Sequence, residues 1–246
     1  MDRLIYTAFS GLQSSMVRQR VIASNMANAQ TIGFRADTVQ FTPTTVQGDG
    51  LEVRALNDSE VRGALMTEGS LTQTGRPLDL AMQGDAMLTL QASDGTEAYS
   101  RRGDLSVAPS GILQNGDGRP VMGENGPISV PPGREVIIAP DGVVMQRDPA
   151  TPNAAPTRID RIKLASPAGS RIEKGLDGLF RVYGGGVLPA DENGKVLTGS
   201  LEQSNVNASD VLVEMVEAQR LFDIRTKLIS TARDLDEGGA QLMKIS

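Results

Sequence analysis

The two ends of this chain carry the spacing of long amphipathic helices, and what lies between them does not. Residues 3 to 29 contain no proline and one glycine, and residues 208 to 244 contain no proline and glycine only at Gly238 and Gly239. In the first run, alternating steps of four and three give Met1, Ile5, Ala8, Leu12, Ser15, Gln19, Ile22, Met26 and Ala29. All but Ser15 and Gln19 are apolar, as a coiled-coil seam requires, and a polar residue in such a seam fixes register or partner number at a cost in stability. The predicted helix is about 39 Å long at roughly 1.5 Å per residue. In the second run the same steps give Ala208, Val211, Met215, Ala218, Phe222, Arg225, Ile229 and Ala232. A parallel stripe of Leu221, Ile224, Leu228, Leu235 and Leu242 makes this face wider than a two-stranded seam needs. Asn207 or Ser209 is positioned as the N-cap, with glutamates in the turns that follow to complement the helix dipole.

A helix whose apolar stripe has no local cover must find it elsewhere. Two arrangements satisfy that requirement. In one, the terminal helices pair and leave the wide C-terminal face for other copies or close relatives. In the other, both helices fold back onto the middle of the same chain.

The stretch Asn25 to Asp37, NMANAQTIGFRAD, reads as a deliberate stop. Asn25 and Asn28 tolerate the left-handed conformation that ends helices. Gly33 supplies positive φ without strain, and Phe34 offers one large apolar anchor after the turn. The chain then leaves in an extended, Thr-rich segment, VQFTPTTVQ. Between about 50 and 200, turn signals recur at Ser93-Asp94-Gly95, Ser110-Gly111, Gly116-Asp117-Gly118, Asn125-Gly126 and Asp141-Gly142. That rhythm predicts short antiparallel strands. The candidates are AMLTLQ, GDLSVA, PISV, REVIIA and GVVMQR, with residues 147 to 158 as a Pro-rich surface loop.

Composition removes several classes of function. The 246 residues include no Cys and no His. Disulfides, thiol nucleophiles, histidine-activated serines and His/Cys zinc sites are therefore absent. The net charge of −6, with both signs dispersed, argues against nucleic acid. The opening MDRLIYTAFSGLQSS lacks the pattern of a cleavable secretory signal, and no stretch approaches the roughly 20 apolar residues of a membrane span. The expectation is a soluble chain with no direct membrane insertion which, if exported, uses a route that reads no cleaved signal.

The remaining candidate motifs have simpler structural readings. Neither phosphate-loop pattern occurs, and YGGGVL at 183 to 188 reads as a flexible turn. Asp94, Asp104, Asp117, Asp141, Asp177 and Asp191 could supply paired carboxylates, but each lies beside or near glycine, where turn chemistry explains it. DENG at 191 to 194 lacks the alternating oxygen ligands of a calcium loop. Arg101-Arg102 reads as a solvated strand edge that blunts edge-to-edge pairing. No catalytic residue, cofactor or metal site is expected.

Several of these segments also resemble a known family. SNMANAQTIGFRAD is similar to the N-terminal Ala-Asn-x-x-Thr-x-Gly-Phe-Lys signature of bacterial flagellar rod, hook and hook–filament junction proteins. Ala27, Asn28, Thr31, Gly33 and Phe34 match, and Arg35 stands where Lys is usual. GSLEQSNVNASDVLVEMVEAQRLFD resembles the family's Gly-x-Leu-Glu-x-Ser-Asn-Val segment and terminal helix. Gly199, Leu201, Glu202, Ser204, Asn205, Val206, Glu214, Met215, Gln219 and Arg220 match, with Phe222 where Tyr is common. TGRPLDLAMQGDAMLTL and YSRRGDLSVAPSGIL resemble the family's first β segments, although Ala86-Met87 replaces the frequent Gly-Phe. The opening segment and the length are most like the proximal-rod branch.

The resemblance implies an α+β, rod/hook-like fold: a mainly β middle, with terminal helices packing together as a coiled-coil-like helical domain. Residues 1–33 plus 205–246 would form the assembly domain, 34–75 plus 185–204 a connecting region, and 76–184 an outer β domain. It implies a non-enzymatic structural subunit of the basal-body rod, exported by the flagellar type III apparatus without signal cleavage. Such a subunit polymerises in the periplasm with other rod proteins and copies of itself, and carries torque. The expected assembly interface is Ile5, Ala8, Leu12, Ile22, Met26, Ala29, Val211, Met215, Ala218, Phe222, Ile229 and Ala232. A distal-rod or hook subunit is the sibling alternative. A secreted β-rich carbohydrate-binding or hydrolytic protein on a coiled-coil stalk is the alternative of another class, though only Tyr6, Tyr99, Tyr183 and five Phe are available to stack on sugars.

Overall fold

The computed structural model describes residues 2–45, 55–151 and 154–244, with side chains described over 9–39, 63–151, 154–235 and 237–238. The element order is helix, strands, helix, which makes the fold α+β. The first helix, α1, is Asp2–Ala27 and the last, α2, is Ala208–Lys244. Contacts divide the chain into two compact units. One comprises Met1–Ala27, Asp37–Gly63 and Asn207–Ser246, and the other Asn28–Ala36 and Ala64–Val206.

In the helical unit, α1 packs along α2. Val211, Ala218 and Ala232 are buried on α2, at intervals of seven or its multiple, while Met215, Phe222 and Ile229 are half-buried. Val21 and Ile22 are the buried apolar residues among the described side chains of α1. The Asn207 side chain accepts the Ser209 amide at 3.0 Å and so caps α2, as its residue type favours. The strands Asp37–Thr45 and Ala55–Ala64 pair as a two-stranded sheet.

Asn25 does not end α1 by turning left-handed, because no described non-glycine residue has positive φ. It stays helical and works through its side chain. Its Oδ1 accepts the Asp37 amide at 2.7 Å, and its Nδ2 donates to the Asp37 carbonyl at 3.0 Å. Ser24 adds a hydroxyl bond to the Asp37 carboxylate at 2.9 Å. The left-handed residue of the stop signal is Gly33, with φ of 66°.

The β unit is built of short antiparallel strands. Its largest sheet has five, in the order Leu164–Ala165, Met87–Gln91, Glu97–Ser100, Phe180–Val182 and Ile172–Lys174. A three-stranded sheet of Glu135–Ile138, Val143–Arg147 and Thr157–Arg161 carries a register shift at Val144/Met145. Leu80, Leu88, Leu90, Leu113, Val121, Ile128, Val144 and Ile162 anchor one continuous core. A smaller cluster gathers Met87, Tyr99, Phe180 and Leu188. Aliphatic residues fill most of this interior, which suits a chain that is 3% aromatic.

The turn chemistry is as the composition implies. Asp94, Asp141, Asp177 and Asp191 each accept the amide two residues on, at 3.0, 3.2, 3.2 and 3.1 Å. The PISV segment departs from expectation. Ile128 and Val130 are buried, but the ladder is confined to Gly126–Pro127 and one bridge between Ile112 and Ser129. Pro127, Pro131 and Pro132 have no amide to extend it.

Candidate functional site

Two arrangements gather the residues singled out in the sequence. The first is the helix pair. Ile22, Val211, Ala218 and Ala232 are buried, and Leu12, Met26, Met215, Phe222 and Ile229 are half-buried. Ile5 and Ala8 lie outside the described side chains. Ala29 does not continue the stripe, because α1 ends at Ala27 and the next residues turn. Ser15, one of the two polar members of the stripe on α1, and the charged member on α2 are explained together. Arg225 donates through Nη1 to the Gly11 carbonyl and to Ser15 Oγ. The Arg225 side chain lies along Gly11, where a Cβ would be in ordinary contact with Nε at 3.7 Å. A polar contact of this kind inside an apolar seam selects one register, because any slip strands the guanidinium.

Of the second stripe of α2, Ile224, Leu228 and Leu235 are exposed and Leu221 is half-buried. Leu212, Val213 and Val216 on the same helix are also exposed, Val216 at 69%. Phe9 and Met16 on α1 are exposed as well. Leu242 lies outside the described side chains.

The second arrangement lies in the β unit and centres on Glu202, in the strand Ser200–Glu202 that pairs with Leu71–Gln73. Glu202 is 1% exposed, and two buried arginines share its carboxylate. Arg35 Nη1 approaches Oε1 at 2.5 Å, and the Gly69 amide donates to the same oxygen at 2.9 Å. Arg101 donates to Oε2 through Nε and lies at 2.7 Å through Nη2 as well. The rest of the Arg101 guanidinium is spent on backbone. It reaches the carbonyls of Gly84 and Ala86 at 2.6 Å and that of Met82 at 3.0 Å. Arg35 also donates to the Thr67 carbonyl at 2.7 Å. Burial pulls the Arg35 guanidinium below its ordinary range, Glu202 opposes that, and neighbouring Arg101 adds to it. An arginine starts high enough that it remains charged.

The family-signature residues converge here. Gly33 donates its amide to the Glu202 carbonyl at 2.8 Å. Its positive φ is matched by a close approach: a Cβ at residue 33 would lie 2.4 Å from the Arg101 carbonyl carbon. Both facts demand glycine. Thr31 hydroxyl bonds Asn28 Oδ1 at 3.0 Å and so shapes the turn. Phe34 receives the Lys174 ammonium 3.6 Å above its ring centre, a cation–π contact rather than an apolar anchor alone. Asn205 Oδ1 accepts the Ala36 amide at 2.8 Å, and its Nδ2 donates to the carbonyls of Leu65 and Thr67 at 2.7 and 2.9 Å. Leu201 and Ser204 are buried, Val206 is half-buried, and Gly199 turns with φ of 72° while bonding the Asp79 carbonyl. Ala27, the last residue of α1, is exposed.

Arg101-Arg102 corrects the sequence reading. Arg101 is not a solvated edge residue but one of the most deeply buried side chains of the chain. Arg102 is spent on Asp104 at 2.8 Å and Asp117 at 2.5 Å. Sequence reasoning also passed over Arg35 as a partner of Glu202. The available signal was charge: a base in one signature segment and an acid in the other, both in stretches otherwise poor in charge.

Three family models match in chain order. "Flagella basal body rod protein" covers residues 5–35, "Flagellar hook protein FlgE/F/G D1 domain" covers 81–146, and "Flagellar basal body rod FlgEFG protein C-terminal" covers 197–242. The first and third hold the two signature segments, with Arg35 and Glu202. The flagellar basal-body rod protein FlgF of Escherichia coli K12 is 40% identical over 252 residues, covering all of both chains. That of Salmonella typhimurium LT2 is 40% identical over 253 residues, again covering all of both. The flagellar basal-body rod protein FlgG of Bacillus subtilis 168 is 31% identical over 258 residues, covering 96% of this chain and 97% of that one. Matches of this extent, which include the residues of the buried cluster, show that the chain belongs to the flagellar basal-body rod protein family.

Proposed function

We propose that this protein is a structural subunit of the bacterial flagellar basal-body rod, placed in its proximal part, and that it polymerises through its terminal helices. The observation that carries the reading is full-length 40% identity to two rod proteins named FlgF. The physical support is the open stripe on α2. A side chain such as Val216 loses about 1.5–3 kcal/mol of favourable burial while it stays in water. Six large aliphatic side chains left exposed along one helix mark a face suited to a partner. Copies of this chain and other rod proteins are the partners in this reading. The helix pair acts as a coiled-coil-like body whose inner seam is Leu12, Ile22, Met26, Val211, Met215, Ala218, Phe222, Ile229 and Ala232. The stripe from Leu212 to Leu235 is its outward contact. The role is mechanical, the transmission of torque from motor to hook, and not catalytic. The subunit reaches the periplasm through the flagellar type III apparatus without signal cleavage.

Replacing Val216 with Asp tests the reading. The purified variant is expected to keep the parent's circular dichroism and melting profile. In a strain lacking its own copy it is expected to give no rods beyond the preceding subunits and no swimming. A Val216→Asp strain that swims like the parent overturns the assignment of this face.

A further inference from the structure

The backbone passes between the two compact units four times, at 27/28, 36/37, 63/64 and 206/207. On the β side, three of these passages meet at one side chain. Asn205 lies just before the 206/207 passage. Its Oδ1 holds the amide of Ala36, the last β-unit residue before the 36/37 passage. Its Nδ2 holds the carbonyls of Leu65 and Thr67, just after the 63/64 passage. Its own amide donates to the Phe34 carbonyl at 3.3 Å, and the Leu65 amide closes the ring on the Ala36 carbonyl at 2.8 Å. The side chain's acceptor and both of its donors are thus used, and no other residue of this size offers that set: aspartate has no donor, and serine has neither the reach nor the fork.

The Glu202 cluster meets this carboxamide at the Thr67 carbonyl, which accepts from both Arg35 and Asn205. It fixes the same three segments through Arg35, Gly69 and the strand that carries Glu202 itself. The Gly33 amide on the Glu202 carbonyl and the Lys174 ammonium on the Arg35 carbonyl, at 2.8 and 2.9 Å, tie down the stretch that follows α1.

We infer that Asn205, seated on the Glu202 cluster, is a clamp that binds three of the four backbone passages into one cross-section of the β unit and keeps them from sliding past one another under load. The load-carrying part of this inference rests on the rod-subunit reading; the clamp itself does not. Hydrogen bonds that join several extended segments side by side resist shear together, whereas a single connecting segment yields alone. A subunit that transmits torque gains stiffness from such an arrangement with no extra mass.

The test uses the full-length chain, as parent, Asn205→Ala, Asn205→Asp and Val144→Ala, the last a core truncation remote from the clamp. Amide hydrogen exchange is read at the amides of Gly33 and Leu65, which donate to the Glu202 and Ala36 carbonyls and not to the Asn205 side chain. Asn205→Ala is expected to speed exchange at both by about tenfold and to leave Thr89 in the core unchanged. Asn205→Asp keeps the acceptor for Ala36 and loses both donors, so it should speed Leu65 more than Gly33. Should Asn205→Ala fail to fold, this second variant decides the matter. Unchanged exchange at Gly33 and Leu65 in both variants overturns the clamp.

Swimming is then compared in dilute and in viscous medium in a strain lacking its own copy. Asn205→Ala is expected to match the parent in dilute medium and to fall about twofold below it in viscous medium, as lost hydrogen bonds lower the resistance of the three segments to shear. Val144→Ala should follow the parent in both. Equal speeds for parent and Asn205→Ala at high load overturn the mechanical role. If the parent gene itself fails to restore swimming, the rod-subunit reading falls and the exchange result stands by itself.

Discussion

At the level of single residues, Glu202 and Gly33 are the positions where substitution should do most damage. Glu202 is the buried carboxylate shared by two buried guanidinium groups, so removing its charge leaves them only the exposed Glu68, 3.7 Å from Arg101 Nη2. Breaking a buried pair from one side costs about 3–5 kcal/mol. Replacing the whole cluster with apolar residues would not recover this, because Arg101 also satisfies three backbone carbonyls that no hydrocarbon can serve. Glu202→Gln is therefore expected to lower β-unit stability by about 3 kcal/mol in urea unfolding, although the shape is preserved. Gly33 invites a comparison with Gly95. Both have positive φ, 66° and 83°, yet a Cβ at Gly95 meets open space while one at Gly33 meets the Arg101 backbone. Gly95→Ala should lose about 1–2 kcal/mol, the strain of the left-handed backbone alone. Gly33→Ala should lose clearly more, because the neighbouring chain must move. Equal losses in denaturant melts would mean that the close approach carries no weight.

At the level of elements, the helices were legible and the cluster was not, for one physical reason. A helix writes its pattern locally, in steps of three and four, so both helices and the buried positions Val211, Ala218 and Ala232 could be read from spacing. Turns are also local, and Asp94, Asp141 and Asp177 announced themselves beside glycine. Glu202 meets Arg101 across 101 residues of chain, and no periodicity connects them. Of two adjacent arginines, nothing local tells which turns inward. Resemblance marked Gly33, Glu202 and Asn205 as belonging together without saying how. The Arg225 contact lies between these cases: a charge interrupting one stripe and Ser15 interrupting the other were visible, but their pairing depends on how the helices are set against each other. Arg225→Ala should remove a charged donor from Ser15 Oγ and the Gly11 carbonyl, leaving the Ser15 hydroxyl its 3.2 Å bond to that carbonyl. We expect a loss of about 1.5–3 kcal/mol in the melting of the helical unit, with no change in the β unit. Amide exchange resolved by segment separates the two. A uniform loss across both units would contradict the assignment of Arg225 as a register pin for the helices.

At the level of the whole molecule, the β unit is not a continuous stretch of sequence. It borrows residues 28–36 from the segment that follows α1, although 37–63 belongs to the other unit. The borrowed segment supplies Arg35 and Gly33 to Glu202 and receives Lys174 on its backbone and over Phe34. The β fold is therefore completed by residues 28–36 as well as by the central residues, and the stability of the β unit depends on that segment. A fragment of residues 64–206 keeps Arg101 and Gly69 on Glu202 but loses Arg35 and the Gly33 amide. It should melt well below a fragment of residues 28–206. A peptide of residues 28–36, added in excess, should raise the melting temperature of the 64–206 fragment by binding its folded form. The increment grows with the logarithm of peptide concentration, about 2.7 kcal/mol at one hundred times its dissociation constant. The same peptide with Arg35→Ala should do little, and one with Gly33→Ala should do less than the parent peptide. If the 64–206 fragment is as stable alone as with the peptide, the segment that follows α1 is only a connection, and the buried cluster does not hold it to the β unit.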